Sequence, residues 1–240
     1  MQSVAPRPAR SAAMAVVATL LFGSLARADH SEGSDTDLLM INLDDETRHV
    51  SIGHLSLFLY PWRQLKQDAR DGDLFVCHLV REARPLIDPD GYLPKLRGAF
   101  EFRPAYRDEI TRAADFGWYL VRFGSELNSQ LLAKRALWCI RTILIARSAE
   151  RRDPVFAPQR LAEQTRSASA RDLLGNRRRR HDDTVLRESL RQFLKNEVPD
   201  DRVLEHADRD AFMMRFATTS NKVALQTLRQ EEKSQASYLG

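Results

Sequence analysis

VVATLLFGSLARADHSEGSDTDLLMI, residues Val16 to Ile41, holds two apolar runs separated by a polar loop. In the first run, Val16 to Phe22, the residues are β-branched or bulky, and the run stops at Gly23, which can turn sharply. The second, Leu38 to Ile41, is too short for a helix and carries Asp35 and Asp37 at its mouth. Both read as strands, with the polar residues between them as an active-site loop. Side chains at i and i+2 of a strand share a face, so Asp35 and Asp37 point the same way. That arrangement suits one hard cation, and Mg²⁺ takes one or two carboxylates together with substrate phosphates.

The chain has 240 residues, 43% hydrophobic and 29% charged, which allows one large or two small packed domains and argues against wholesale disorder. Its 37 basic and 33 acidic side chains give a net charge of +4, compatible with handling phosphates but too mixed to demand a polyanionic partner. Cys77 and Cys139 lie in apolar helical contexts without a CxxC or His pairing and read as buried thiols of a reducing compartment. The opening mimics a secretory leader: Arg7 and Arg10 precede the apolar stretch Ala12 to Phe22, and Ala26-Arg27-Ala28 looks like a cleavage site. Pro6 and Pro8 oppose that reading, and cleavage after Ala28 would discard Gly23-Ser24 while keeping Asp35 and Asp37. The expectation is therefore a first strand and a cytoplasmic protein. No other stretch nears the ~18 apolar residues of a membrane span.

After the second strand, Asp44-Asp45-Glu46 reads as a solvated acidic turn. Val50 to Tyr60 alternates as one strand, with His54, Ser56, Phe58 and Tyr60 on one side. Short helices are expected over Arg63 to Arg70 and from Leu74 to about Arg84, the second capped by Asp73. Pro85-Leu86-Ile87 reads as a short strand and Asp88-Pro89-Asp90-Gly91 as a turn. Beyond Arg103 the periodicity is helical. Tyr106 to Phe123 and Leu131 to Ile145 form a hairpin pair, followed by helices over Arg160 to Leu174, Asp183 to Asn196 and Arg202 to about Leu228, then a frayed end from Glu231.

Gly23-Ser24, ten residues, then Asp35-x-Asp37 resembles the signature of the nucleotidyltransferase superfamily, in the branch of the minimal and aminoglycoside nucleotidyltransferases. Ala26-Arg27 matches the usual A-R of "GSxARG", and Ser34 to Leu38 matches "SDxDL"; Ala28 replaces the usual Gly. Gly72 to Asp88 resembles the closing helix and strand of the same proteins, so the likeness covers most of residues 15 to 90. It implies an α+β chain: a small mixed-sheet, polymerase-beta-like nucleotidyltransferase domain over residues 12–98, then an all-α domain over 99–230, loosely HEPN-like. Arg177 to His181 encloses three residues, too few for the Arg-to-His motif of HEPN ribonucleases, so nuclease activity is not expected.

The same likeness implies transfer of a nucleoside monophosphate from an NTP, ATP first, to a hydroxyl acceptor, with a small molecule favoured because the chain carries its own helical domain. Asp35 and Asp37 would be catalytic and hold Mg²⁺ or Mn²⁺, and Gly23, Ser24 and Arg27 would bind the triphosphate. The family's third carboxylate falls on Ser56, which cannot replace it; His54, on the same face, is an accessory candidate against a structural role. The alternatives are a catalytically weakened nucleotide-binding or regulatory protein, a protein-modifying antitoxin-type enzyme, and, at low weight, an exported helical protein. Arg177 to Arg180 could hold nucleic-acid phosphates, but lacks interleaved aromatics and reads better as a solvated turn. Homodimerisation is left open, and no membrane partner is expected.

Overall fold

The computed structural model describes residues 15–29, 34–175, 182–198 and 204–238, with side chains to residue 230. The lead-in expected over residues 1–11, the basic run Arg177 to Arg180 and His181 lie outside the described residues. The chain is α+β and divides into two units, residues 1–102 and 103–240.

The first unit is a five-stranded mixed sheet in the order β3-β4-β2-β1-β5. β1 (Val16–Phe22) runs antiparallel to β2 (Thr36–Asn42) on one side and to β5 (Arg84–Ile87) on the other. The apolar run that resembles a leader is thus, from Val16 onward, a strand paired on both edges. β1 passes into a single helical turn, α1 (Gly23–Arg27), which ends at Ala28 in the left-handed region, φ 63°.

The expected single strand over Val50 to Tyr60 is a hairpin instead. β3 (Arg48–Ile52) and β4 (Leu55–Pro61) pair antiparallel across Gly53-His54, where Gly53 has φ +57°. A continuous alternating pattern hides such a turn because two residues restore the period-2 register. β4 inserts between β3 and β2 and runs parallel to β2.

One face of this sheet is covered by α2 (Trp62–Arg70), α3 (Leu74–Glu82) and α4 (Tyr92–Ala99). Ala18, Leu20 and Phe22 of β1 and Leu39 and Ile41 of β2 point inward at alternate positions and pack with Leu65, Val76, Leu79, Leu93 and Leu96. Asp73 caps α3, accepting from the Phe75 and Val76 amides at 2.8 and 3.0 Å. The turn at Asp88 leads into α4, which the sequence reading leaves out. The Asp88 carboxylate accepts from the Tyr92 and Leu93 amides at 2.7 and 3.0 Å and so starts that helix.

The second unit is helical throughout its described residues. α5 (Arg107–Phe123) and α6 (Ser129–Glu150) form the expected pair, joined through a 3-10 turn and capped by Asn128. Gly117 of α5 lets Leu194 approach closely; a Cβ there would lie 3.0 Å from Leu194 Cδ1. The stretch expected as one helix from Arg160 is two, α7 (Pro158–Gln164) and α8 (Ala168–Gly175). Thr165 and Ser167 break it by turning their hydroxyls to backbone amides, Ser167 N to Thr165 Oγ1 at 3.1 Å and Ala170 N to Ser167 Oγ at 3.2 Å. α9 (Asp183–Glu197) follows. The last expected helix also divides, into α10 (Arg209–Thr218) and α11 (Lys222–Tyr238), at Ser220 with φ +50°. α11 continues past Glu231, where fraying was expected. No described helix is long and apolar enough to cross a membrane.

Candidate active site

Strand pairing, more than local sequence, builds the site at the mouth of β2. Phe22, the last residue of β1, is the antiparallel partner of Asp37, so the chain turns at Gly23 directly beside the Asp37 carboxylate. Gly23 has φ +75°, and a Cβ there would stand 2.5 Å from Asp37 Oδ2. Both the backbone angle and the space call for glycine. On the other side of β2, the parallel register sets Ser56 of β4 opposite Asp37. Leu39 and Ile41, two and four residues on, point into the core, so Asp37 stands on the helix-covered face of the sheet, at its edge.

Asp35 precedes β2 by one residue and is well exposed. His54 is not on the strand face with Ser56; it sits in the hairpin turn. Its Nδ1 lies 3.3 Å from Asp35 Oδ1, and its carbonyl accepts from Thr36 N at 2.7 Å, tying the turn to the start of β2. Asp35, Asp37, His54 and Ser56 thus lie at one end of β2 and β4, with His54 in the hairpin turn and not on the strand.

Two side chains missed from the sequence join this row. Ser51 of β3 pairs across the hairpin with Ser56, their hydroxyl oxygens 3.4 Å apart, and Ser51 Oγ lies 3.2 Å from His49 Nε2. The His49 ring stacks on Phe58, centroids 4.3 Å apart. The signal was the alternation itself, which continues through β3 once the turn is recognised. Beneath the row, Phe22 meets Phe58 and Phe75 edge-on at 5.2 and 5.7 Å, giving the carboxylates a rigid aromatic support.

Arg27 is placed otherwise than expected. Its guanidinium donates to Asp29 Oδ2 at 3.0 Å and to Glu82 Oε2 at 2.5 Å, and Nη1 lies 3.4 Å from His78 Nε2. His78 itself is 2.8 Å from the same Glu82 oxygen. Burial alone would lower the Arg27 pKa; the hydrogen bonds and charges of Asp29 and Glu82 outweigh it and raise it. The side chain is thus committed to locking α1 onto α3, not turned to a ligand's phosphates. Ser24 is half-buried in α1, beside the Gly23 turn.

As a cation site, the donor set is two hard carboxylates with a glycine cradle next to one of them. No group of three or more His, Cys, Asp or Glu able to hold a metal occurs among the described residues. Asp35 and Asp37 could supply two hard carboxylate ligands to an ion that takes its others from phosphate and water, as Mg²⁺ does.

No protein-family model matches the chain, and no curated protein matches it. Among solved structures it is similar to the crystal structure of a nucleotidyltransferase-like protein from Exiguobacterium sibiricum 255-15, at 14% identity and a TM-score of 0.34, over 90% of this chain and 86% of that chain.

Proposed function

We propose that the sheet unit binds an NTP, ATP first, at the Gly23-Ser24 turn and transfers its nucleoside monophosphate to the hydroxyl of a small-molecule acceptor. The observation that carries this reading is the contact between Gly23 and Asp37. The superfamily's signature sets a glycine turn ten residues before a D-x-D pair for joint work on a triphosphate, and here the second carboxylate of the pair, Asp37, lies against Gly23. Asp35 and Asp37 would hold Mg²⁺ or Mn²⁺, which when bound neutralises phosphate charge. The acceptor hydroxyl oxygen attacks the α-phosphorus and gives up its proton to solvent, the bond from the α-phosphorus to the bridging oxygen of the β-phosphate breaks, and pyrophosphate leaves with the released charge. Asp37, fixed between Phe22 and Ser56, supplies positioning; His54, held at Asp35, is the accessory group at the entrance. Arg27 acts by holding α1 in place. The free, buried thiols Cys77 and Cys139 agree with a cytoplasmic setting where NTPs abound.

Ser56 favours a second reading, nucleotide binding with weakened turnover, because it occupies the register position beside Asp37 where a third carboxylate would stand. The test is pyrophosphate release from each α-labelled NTP with Mg²⁺ or Mn²⁺ and a cell extract as acceptor source. Release that falls at least about 100-fold in Asp37→Asn supports the enzyme. Metal-dependent NTP binding without release, recovered by Ser56→Asp, supports the weakened protein. Release unchanged in Asp37→Asn overturns both assignments of the site.

A further inference from the structure

We propose that the helical unit carries a second binding site, for a small hydroxylated phosphate monoester of the sugar-phosphate class. It is independent of the carboxylates at β2. Arg147 and Arg151 lie one turn apart near the end of α6, Gln164 and Arg166 lie at the junction of α7 and α8, and Asn196 and Glu197 close α9. These side chains line a cavity of about 420 Å³.

The cavity is built around a buried acid. Glu197 Oε2 receives Arg147 Nη1, and Oε1 receives the Thr165 hydroxyl at 2.9 Å and the Arg166 amide at 3.0 Å. Both carboxylate oxygens are thereby used within the protein, and the Arg147 guanidinium is fixed in place. Arg151 is steadied by Gln164, Nη2 to Oε1 at 3.1 Å. The Arg166 guanidinium has no ion-pair partner among the described residues. Three guanidinium groups set against one carboxylate leave an excess of two positive charges in the lining.

A phosphate monoester carries about −1.5 to −2 at neutral pH and presents oxygens that suit the planar fork of arginine. Two pre-oriented arginines and one uncommitted arginine at the same opening match that charge and geometry. The volume lies within the ~300–1,000 Å³ of small-molecule sites, more than a bare oxyanion fills. Gln164 and Asn196 offer amide donors and acceptors to hydroxyl groups, while Leu144 supplies only a limited apolar wall. A hydroxylated carbon skeleton attached to the phosphate satisfies both.

The test is calorimetric titration of the full chain with ribose 5-phosphate, ribose and inorganic phosphate. Saturable binding of ribose 5-phosphate is expected, tighter than inorganic phosphate, with ribose silent. Arg166→Gln and Arg151→Gln, both at exposed positions, should each weaken it at least about 10-fold while thermal unfolding stays unchanged. Asp37→Asn should leave it intact. No saturable binding of ribose 5-phosphate up to about 10 mM overturns the proposal. So does inorganic phosphate binding equally well, binding indifferent to both arginine substitutions, or binding lost in Asp37→Asn. None of these outcomes bears on pyrophosphate release, so the two sites stand or fall separately.

Discussion

Ala28 closes α1 with φ 63° and ψ 23°, a conformation that side chains with a Cβ adopt at a cost of roughly 1–2 kcal/mol. Its backbone is held there, Ala28 N to Leu25 O at 3.3 Å and Asp29 N to Ser24 O at 3.2 Å, because the chain must turn back towards the sheet. Glycine would take that angle without the cost. Ala28→Gly should therefore raise stability by up to about 1.5 kcal/mol, the relief of the angle less the ~0.5–1 kcal/mol of added chain entropy. Thermal unfolding reads this as a rise of a few degrees; a fall would mean that the Ala28 methyl makes a contact of value. At this scale the sequence was legible where neighbours in the chain act together. Gly23 and Asp37 are such a pair, and their meeting follows from two strands and a loop. Arg27 was not legible, because Glu82, the acid that claims it, lies 55 residues away on α3.

Among elements, α3 shows most directly how local chemistry decides a boundary. Asp73 follows the left-handed Gly72 and accepts two amides, while its carbonyl accepts Cys77 N at 2.8 Å to begin the helix. Asp73→Ala should cost about 1 kcal/mol, measured by urea denaturation; Asp73→Ser should recover most of it. A loss restored by neither Ser nor Asn would mean that the charge, not the cap, is what matters. Such caps are written in the sequence, and α2, α3 and β5 were read close to their observed limits. α4 was not, since Pro94 and Gly98 lower its helical propensity and its cap, Asp88, acts from four residues before the first turn. In the second unit, periodicity located the helices but passed over the breaks at Thr165 and Ser220, where side-chain hydroxyls and a positive φ, not loss of apolar spacing, end a helix.

Among the described residues there are two cores, one drawn from residues 18–96 and one from residues 113–228; Cys139 belongs to the second, and Cys77 is fully buried on α3 of the sheet unit. Burial pushes Cys77 up to about 12, and Cys139 is raised for the same reason. An unfolded thiol ionises near 9, so above that pH the unfolded chain loses protons that the folded chain keeps, and stability falls as pH rises towards 12. The stability lost between pH 8 and 10.5 should be smaller in Cys77→Ala than in the parent, by up to about 1.4 kcal/mol per unit above the unfolded pKa. Equal losses would show that the thiol is not sealed from water. Fold class and the change from sheet to helix near residue 100 were legible at this scale from the switch in hydrophobic period. The cavity of the helical unit was not, because its lining comes from three separate helical segments, the end of α6, the α7–α8 junction and the end of α9. The order of strands carries one more consequence. β3 and β4 meet across a two-residue turn, whereas β2 and β4 pair across the whole of β3, and loop closure costs more for the more distant pair. Ser56 meets Ser51 across a shorter loop than it meets Asp37, and the β1–β5 pair closes the longest loop of the sheet, so by loop length the carboxylate end is expected to form after the hairpin and before β5 docks.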